Sequence, residues 1–299
     1  MQLKIHCNSH IVKMSLKSAR WAFDCNLWNP SEDEWRKTAS FLQEDEKQKV
    51  KQFYFQRDAK SCLIGRLLMR KFLTLSSGLP WSEIQIIRDQ HNKPLCLNNP
   101  QLHFNVSHQG NFTVLAGEVG SYQLGIDIMK NEVKSDKRLE DFFRIMRRVM
   151  TPSEWEQINS CSTELDKNFM FYRFWCLKES YVKAIGVGLN VNLQDLRFKV
   201  NSLELVQNQF TTDTQFFLKD SLQSTWTFYE TLLDPAHCVA IGIHDANSGT
   251  SNFVDKFTTL TLDDLISEAE QISTPDSEFS VSMVNKPLKM YESVNVSCH

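Results

Sequence analysis

The stretch FWCLKESYVKAIGVGL, residues 174–189, is the most informative part of the chain. Apolar side chains recur in it at every third or fourth position, which predicts a helix with one buried face. That row consists of Phe174, Leu177, Tyr181 and Ala184. Gly186 and Gly188 are expected to end the helix, because glycine is common just beyond a helix.

A second row on the same helix is polar. Trp175, Glu179 and Lys183 lie four positions apart, with Lys178 beside them. A glutamate four residues before a lysine is a favourable helix pair, and alone it predicts no more than that. A carboxylate between two lysines at the edge of an apolar face also suits a metal ion, a phosphate and a base. Both interpretations stay open on this stretch alone.

Composition limits the class of protein. The chain has 299 residues, with 41% apolar residues and a mean hydropathy of -0.35, which indicates a globular protein of about two domains. The net charge of -3 gives no general attraction to nucleic acid or membranes. Neither an N-terminal apolar core nor a run of about 18 apolar residues occurs. We expect a cytosolic protein with no nucleic-acid or membrane partner.

The cysteines point to the same compartment. There are 8 of them, scattered along the chain without a CxxC pair and without zinc-site spacing. Several lie inside apolar runs, where cysteine behaves as a small hydrophobic residue. We therefore expect reduced thiols in a reducing compartment.

The order of elements predicts an α+β fold of two related halves. The first half has a strand at 21–28, a long helix at 44–75 and strands at 84–87, near 95, and at 104–108 and 112–116. After a strand at 124–129, a capped helix start at 151–154, the helix of 174–189 and strands at 195–200, 226–230 and 238–244 repeat a similar order. The predicted organisation is an N-terminal segment 1–18, halves 19–122 and 123–245, and a C-terminal extension 246–299.

The C-terminal extension is predicted to be partly disordered. Residues 247–252 are rich in Ser and Gly and indicate a linker, and 257–272 predict a short strand and a helix. Beyond about residue 273 the chain is Ser-rich with little periodicity, so poor order is expected there.

Asp127 is an acid inside an apolar strand, LGIDIM at 124–129. An isolated buried carboxylate is costly, so it requires either a metal ion or a basic side chain as its partner. Taken with Glu179 on a helix, it makes a magnesium site as probable as a structural ion pair. His108 in NVSHQGN is, by itself, a loop histidine. A Ser-His-Asp hydrolase is disfavoured because no GxSxG motif occurs.

Basic residues could form a polyanion site. The helix predicted at 44–75 has an unusually basic side, which is most often a solvated helix face. As a set, six basic residues from this helix and from later parts of the chain could line a site for phosphate groups. They are Lys49, Arg88, Lys93, His108, Lys178 and Lys183.

Four motifs in order resemble the 4'-phosphopantetheinyl transferases of the two-domain Sfp type, most closely the eukaryotic ones. They are FQRDAKSCLIGRLLMRK at 55–71, FNVSHQG at 104–110, the G-I-D of LGIDIM, and W-x-x-K-E-S-x-x-K from Trp175 to Lys183. The resemblance covers about residues 20–245. It implies two pseudo-symmetric α+β halves with the active site in the cleft between them, which agrees with the repeat in the sequence.

The resemblance also implies the reaction. Coenzyme A donates its phosphopantetheine arm to a serine of an apo acyl carrier protein domain, as in fatty acid synthase or aminoadipate-semialdehyde dehydrogenase, and 3',5'-ADP is released. A monomeric enzyme is expected. Asp127 and Glu179 would hold Mg2+, Glu179 would also be the base, and Lys183 and Lys178 would stabilise phosphate charge. The implied coenzyme A contacts are Lys49, Arg88, Asp89, Gln90, His91, Asn92, Lys93, Asn105, Val106, Ser107, His108, Glu179, Ser180, Tyr181, Val182 and Lys183.

Two positions depart from the family pattern. Many bacterial members have a second acid where this chain has Met129, a poor ligand for a hard cation, so more water is expected around the metal. Lys49 stands where an arginine is usual, so phosphate there would meet a point charge instead of a bidentate fork.

The carrier surface and two alternative functions stay open. RLEDFFRIMRRVM at 138–150 is either an amphipathic helix packed on the second half or a basic surface for an acidic carrier. The chain could instead be a module that binds coenzyme A or a carrier without transfer, or an interaction protein. The presence of Asp127, Glu179 and Lys183 favours the transferase, because a binding module needs no base.

Overall fold

The computed structural model describes residues 15–132, 138–188, 191–245 and 255–288. The helices are α1 (Glu32–Ser40), α2 (Glu44–Lys51), α3 (Gln56–Ser77), α4 (Leu139–Ile145), α5 (Pro152–Asn159), α6 (Glu164–Ile185), α7 (Leu262–Ile266) and α8 (Ser277–Val284). The strands are β1 (Ser18–Asp24), β2 (Ile86–Arg88), β3 (Pro94–Cys96), β4 (Leu102–Gln109), β5 (Phe112–Val119), β6 (Tyr122–Lys130), β7 (Leu196–Lys199), β8 (Gln215–Leu218), β9 (Ser221–Leu222), β10 (Trp226–Asp234), β11 (His237–Asp245) and β12 (Thr258–Thr259). The α+β prediction is confirmed. Within these residues no helix is long and apolar enough to cross a membrane.

The first sheet has the strand order β12-β1-β5-β4 and packs against α3. The long helix ends where Gly78 adopts a left-handed conformation, φ 76°, and its amide donates to the carbonyl of Thr74. Helices α1, α7 and α8 cover the same apolar cluster. Its buried members include Trp35, Leu67, Phe72, Leu265 and Phe279.

The second sheet has the order β10-β11-β6 and packs against α6. Thr163 caps the N-terminus of α6, where its side chain accepts the amide of Asp166, and Gly186 with φ 73° caps the C-terminus. The start of α5 is the predicted capped one, with Thr151 and Glu154 forming a capping box and proline following Thr151. Residues next to each helix start therefore determine where α5 and α6 begin.

The two sheets contact each other through a shared apolar cluster. Ala22 and Val114 of the first sheet pack with Ile126 and Ile241 of the second. At the edge, the side chain of Asn105 on β4 accepts the amide of Ile126 on β6, at 3.0 Å. This edge contact brings the end of β4 next to the acidic position of β6.

The prediction of one helix over 44–75 is wrong. Residues 52–55 separate α2 from α3, and the backbone of Phe55 is extended. Arg70 donates to Glu46 across the corner at 2.8 Å, although the two lie 24 positions apart. A straight helix would separate them by about 36 Å, so the buried ion pair requires the break.

The solvated-face interpretation of the basic helix is also wrong for most of its cations. Lys60 is buried and donates to the carbonyls of Cys25 and Trp28 at 2.9 and 2.7 Å. Arg70 is fully buried against Glu46, and Lys71 pairs with a glutamate of the C-terminal region. A buried charge needs such partners, and the fold supplies them from distant parts of the chain.

Poor order after residue 273 was predicted, whereas residues 277–284 form α8. Phe279 and Met283, one helical turn apart, are buried in the first apolar cluster, and Phe279 meets Trp35 edge-on. The predicted strand at 21–28 likewise ends early, at Asp24, which accepts the amide of Asn26 in a turn. The predicted linker 247–252 lies outside the described residues.

Candidate active site

The close contact of β6 with α6 sets the position of the site. A side chain on Gly125 would come within 2.1 Å of the carbonyl oxygen of Ser180 and 2.3 Å of the amide of Ala184. Only glycine permits that approach. The glycine of the G-I-D motif therefore holds the strand against the helix, and Asp127 lies two residues further along the same strand face.

Asp127 lies in a three-way contact between the two sheets and α6. Lys183 donates to Asp127 Oδ1 at 2.6 Å and to Ser107 Oγ at 2.8 Å, and Ser107 donates to the same carboxylate oxygen at 2.9 Å. The other oxygen, Asp127 Oδ2, is buried and has no hydrogen-bond partner among the described residues. A buried unpaired acceptor is costly, so this oxygen is suited to a ligand such as a cation.

Glu179 lies one turn before Lys183 and is half-buried. Loss of solvent, followed by the negative charge of Asp127, raises the pKa of Glu179, and Lys183 opposes that rise. The carboxylate of Glu179 has no hydrogen bond or ion pair with a described residue. Two carboxylates that repel each other, one with a buried free oxygen, fit a hard divalent cation. Among the residues that the structure describes, no group of three or more His, Cys, Asp and Glu side chains could hold a metal, so water would complete the coordination.

His108 lies beside this constellation at the end of β4. Its side chain reaches solvent, yet the surrounding protein removes part of its hydration. This desolvation, together with the positive charge of Lys183, lowers the pKa of His108 below its ordinary value. A neutral imidazole at this position can donate one hydrogen bond and accept another.

Three cations converge at the corner between α2, α3 and β2. Desolvation lowers the pKa of Lys49, and the charges of Arg88 and then Arg66 lower it further. Arg88 has an exposed side chain, yet partial loss of solvent and the nearby charge of Arg66 lower its pKa. Arg66 Nε is buried and has no hydrogen-bond partner among the described residues, and Arg66 Nη1 lies 3.8 Å from Glu46. Positive groups that repel each other in a partly dry site are suited to a phosphate.

Arg66 is the member of this cluster that the sequence analysis did not place in the site. In the sequence, Arg66 is only one of several basic residues on a predicted helix. The same helix contains Arg70, whose charge is neutralised by Glu46 at 2.7 Å. The spacing along α3 does not distinguish an arginine that is fully neutralised from one that also lies beside other cations.

The loop 88–93 is built by its own side chains. Asp89 accepts the amides of His91 and Lys93 at 2.8 and 2.9 Å, and these bonds keep the pKa of its carboxyl low. Lys93 reaches the carbonyl of Ala184 at the end of α6, at 2.8 Å. Arg88 donates to the carbonyl of Asn92 at 2.7 Å. Gln90 and His91 are exposed at the tip, so the loop joins the cation cluster to the helix bearing Glu179.

Lys178 does not lie with the other predicted catalytic residues. Its side chain is 1% exposed, and its ammonium pairs with Glu154 at 2.9 Å and donates to the carbonyl of Leu193 at 2.9 Å. Adjacent residues on a helix point about 100° apart, so Lys178 and Glu179 face different surroundings. We correct the catalytic assignment of Lys178 to a structural one.

We expect Lys178→Met to lower stability and to leave chemistry almost unchanged. Breaking a buried ion pair costs about 3–5 kcal/mol, because Glu154 is left without its cation. At a temperature where the variant is folded, kcat should stay within about twofold of the wild type. Thermal melting and initial rates measure the two effects. The double variant with Glu154→Gln should recover part of the lost stability. A tenfold fall of kcat in a folded variant would return Lys178 to the active site.

Several predicted coenzyme A contacts have side chains directed elsewhere. Asn105 binds the backbone of β6, and Val106 packs against the first apolar cluster. Ser180 donates to the carbonyl of Leu177, whereas Tyr181 packs against Phe216 and Trp226. Val182 belongs to the apolar cluster between α6 and the second sheet, called here the second apolar cluster. The side chains of these five residues stabilise the fold. Contacts of these positions with coenzyme A would therefore be made by their backbone atoms or by neighbouring residues.

The departure at Met129 has a structural counterpart. It shares the α6-facing side of β6 with Asp127 and packs partly buried against the second apolar cluster. A thioether in that environment offers no ligand to a hard cation. The constellation therefore has two carboxylates and not three.

Comparison with known proteins identifies the class. Residues 26–120 match the family described as 4'-phosphopantetheinyl transferase, N-terminal, and residues 123–242 match the 4'-phosphopantetheinyl transferase superfamily. The chain belongs to the 4'-phosphopantetheinyl transferase superfamily, which confirms the resemblance seen in the four motifs.

Individual relatives refine the placement. The L-aminoadipate-semialdehyde dehydrogenase-phosphopantetheinyl transferase of Xenopus laevis is 39% identical over 290 residues, 93% of this chain and 95% of the relative. Its counterpart in Homo sapiens is 38% identical over 280 residues, 89% and 90% of the two chains. The 4'-phosphopantetheinyl transferase Sfp of Bacillus subtilis (strain 168) is 28% identical over 171 residues, 57% and 72% of the two chains. The chain is thus more similar to the first type than to Sfp.

Proposed function

We propose that this protein transfers the 4'-phosphopantetheine arm of coenzyme A to a serine of an apo acyl carrier protein domain. The observation that carries the proposal is the contact of Ser107, Asp127 and Lys183, with Glu179 one turn away. It combines a general base, a phosphate-binding cation and acceptors for a metal in one partly desolvated place. Both family matches and the names of the relatives support the same reaction.

The reaction requires a proton acceptor and charge neutralisation. The serine oxygen of the carrier forms a bond to the phosphorus that bears the pantetheine arm, and the bond from that phosphorus to 3',5'-ADP breaks. Glu179, directly or through a water, takes the serine proton.

Lys183 stabilises phosphate charge in this proposal. Its ammonium has three hydrogens, of which two point to Ser107 and Asp127. The third is available to a pyrophosphate oxygen as negative charge develops. Asp127 and Ser107 thereby orient the lysine, so that no rearrangement is needed during the reaction.

Magnesium fits the same residues. Asp127 Oδ2, buried and unpaired, and the carboxylate of Glu179 would hold the ion, together with water and substrate oxygens. Bound magnesium would neutralise the pyrophosphate and the departing phosphate. We propose Mg2+ as the metal because carboxylates are ligands that hard cations prefer.

Binding of the nucleotide is assigned to the cation cluster. Lys49, Arg66 and Arg88 would contact the 3'-phosphate, and the loop 88–93 would lie along the nucleotide. These contacts exist before and during the reaction, so they lower the KM for coenzyme A without raising kcat. In this proposal the cleft lies between pseudo-symmetric halves 19–122 and 123–245 of a monomeric, cytosolic enzyme. Carriers of fatty acid synthase and aminoadipate-semialdehyde dehydrogenase are the proposed substrates.

Transfer can be distinguished from simple binding of coenzyme A or carrier. Calorimetry with coenzyme A and magnesium measures binding, and chromatographic detection of 3',5'-ADP with an apo carrier present measures turnover. The proposal expects release of one 3',5'-ADP per carrier modified, only with a divalent cation. Tight binding without release would indicate a binding module, and absence of both would contradict the proposal.

The exposed basic turn after α4 is the proposed carrier surface. Helix α4 ends at Ile145, which is 67% exposed, and Arg147 and Arg148 follow without an acidic partner among the described residues. Phe142 and Phe143 anchor the helix on Phe171, in the second apolar cluster. An apolar side chain beside two free arginines fits an acidic carrier.

Reversing the charge of these two arginines should weaken the binding of the carrier and leave the binding of coenzyme A unchanged. We expect Arg147→Glu with Arg148→Glu to raise the KM for carrier about tenfold, because like charges then oppose the acidic partner. The KM for coenzyme A should not change. Lys199→Glu with Lys219→Glu, both exposed in the same half, is the control of equal charge change. An unchanged KM for carrier would remove this surface from the proposal.

A further inference from the structure

The C-terminal segment 277–288 lies across the corner between α2 and α3. Lys286 donates through its ammonium to the carbonyl of Lys51 at 3.0 Å and to that of Phe53. The backbone amide of Gln56 donates to the carbonyl of Pro287 at 3.1 Å, and its side-chain amide donates to the carbonyl of Met283 at 3.1 Å. The segment is therefore bonded to both sides of the break that separates the two helices.

The segment is also anchored independently of these bonds. Phe279 and Met283 are buried in the first apolar cluster, and Ser280 contacts Glu32 of α1 at 3.3 Å. Anchored in this way, the side chain of Lys286 has a fixed origin. The position of Lys286 therefore does not depend on the position of α2, and its hydrogen bonds can restrain the corner.

The corner needs such a restraint because of the charges that it bears. Lys49 on α2 faces Arg66 and Arg88 and forms no ion pair within the described residues. Their repulsion, only partly offset by Glu46 at 3.8 Å from Arg66, opposes this arrangement until an anion binds. Helix α2 has only 8 residues, and short helices have little stability of their own. The ammonium of Lys286 satisfies carbonyls at the C-terminal end of α2, where a cation is favourable.

We propose that Lys286 is a positioning residue that holds α2 so that Lys49 faces Arg66 and Arg88 before the substrate arrives. The inference rests on the proposed function, in which this cluster receives the 3'-phosphate of coenzyme A. Glu46 ties the first turn of α2 to Arg66 and Arg70, so without Lys286 the C-terminal end of α2, with Lys49, moves away from the other two cations in the free protein. Binding of coenzyme A must then bring the three cations together again. The apparent affinity for coenzyme A becomes the intrinsic affinity multiplied by the fraction of molecules in which the three cations are already together.

The test compares two phosphopantetheine donors, coenzyme A and 3'-dephospho-coenzyme A, which differ only in the 3'-phosphate. Lys286→Met keeps the length of the side chain and removes its hydrogen-bond donors. We expect it to raise the KM for coenzyme A about threefold to tenfold, with kcat unchanged. The KM for 3'-dephospho-coenzyme A should stay at its wild-type value, because that donor lacks the phosphate. Lys286→Arg should behave as the wild type.

Controls separate this role from general destabilisation. Lys256→Met, in an exposed position of the same C-terminal region, should leave both KM values unchanged. Gln56→Leu removes the side-chain bonds to Met283 and Val284, and should raise the KM for coenzyme A in the same selective way. That variant provides the measurement if Lys286→Met does not fold.

The outcomes distinguish the inference from the function on which it rests. A wild type that does not transfer, or that accepts both donors equally well, contradicts the proposed function or its phosphate site. If the wild type prefers coenzyme A and Lys286→Met retains the same preference, the positioning role is wrong. An equal rise of both KM values would also overturn it, because that result indicates a merely structural lysine.

Discussion

Glu179→Gln is expected to reduce kcat by about 1000-fold or more, since it removes both the base and a metal ligand. The replacement keeps the size of the side chain, and the native carboxylate has no hydrogen bond to a described residue that the amide would break. The fold should therefore persist, and the variant should still bind coenzyme A through the cation cluster. Single-turnover rates with saturating coenzyme A and carrier measure the chemical step apart from binding.

The control for this variant is Glu156→Gln, an exposed glutamate on α5. It changes the net charge by the same amount and should leave kcat within about twofold. A Glu179→Gln protein with more than about a tenth of the wild-type kcat would exclude Glu179 as base, because general base catalysis contributes more than that.

Asp127→Asn is expected to reduce kcat by about 100-fold or more and to raise the magnesium concentration for half-maximal rate. The amide cannot neutralise Lys183, and it offers the metal a weaker ligand than the carboxylate. Its side-chain oxygen can still accept the hydrogen bond from Ser107, so the local structure should survive. Initial rates over a magnesium titration measure both quantities.

Two comparisons make the Asp127 result specific. Asp263→Asn on α7 is exposed and should not alter the magnesium dependence. Thermal melting of Asp127→Asn should show a folded protein. If a folded Asp127→Asn has the wild-type magnesium dependence, Asp127 does not contribute to metal binding, whatever happens to kcat.

The proposed site residues were found through their resemblance to family motifs, whereas local spacing alone left Glu179 and Lys183 open between an ion pair and a metal or phosphate site. The spacing of Glu179 and Lys183 on one helix, and the G-I-D motif, need no knowledge of the tertiary fold. The contact of Ser107 with Asp127 was not predictable as geometry, because it depends on β4 lying beside β6. That edge is made by side chains such as Asn105, for which the sequence has no periodic signal.

The errors have equally specific causes. Lys178 was assigned from the family motif W-x-x-K-E-S-x-x-K, while the helix directs its side chain to Glu154. Arg66 was missed because an arginine on a basic helix is not distinguished by its type. The helix at 277–284 was missed because serine content outweighed the spacing of Phe279 and Met283. In each case a distant contact, and not local propensity, determines the outcome.

The most direct measurement is the intact mass of an apo acyl carrier protein after incubation with this protein, coenzyme A and magnesium. The account predicts a gain of one phosphopantetheine group on the carrier serine, which disappears when the metal is chelated. A carrier whose mass does not change, under conditions where the protein is folded and binds coenzyme A, would contradict the assignment of the Ser107, Asp127, Glu179 and Lys183 constellation to phosphopantetheine transfer.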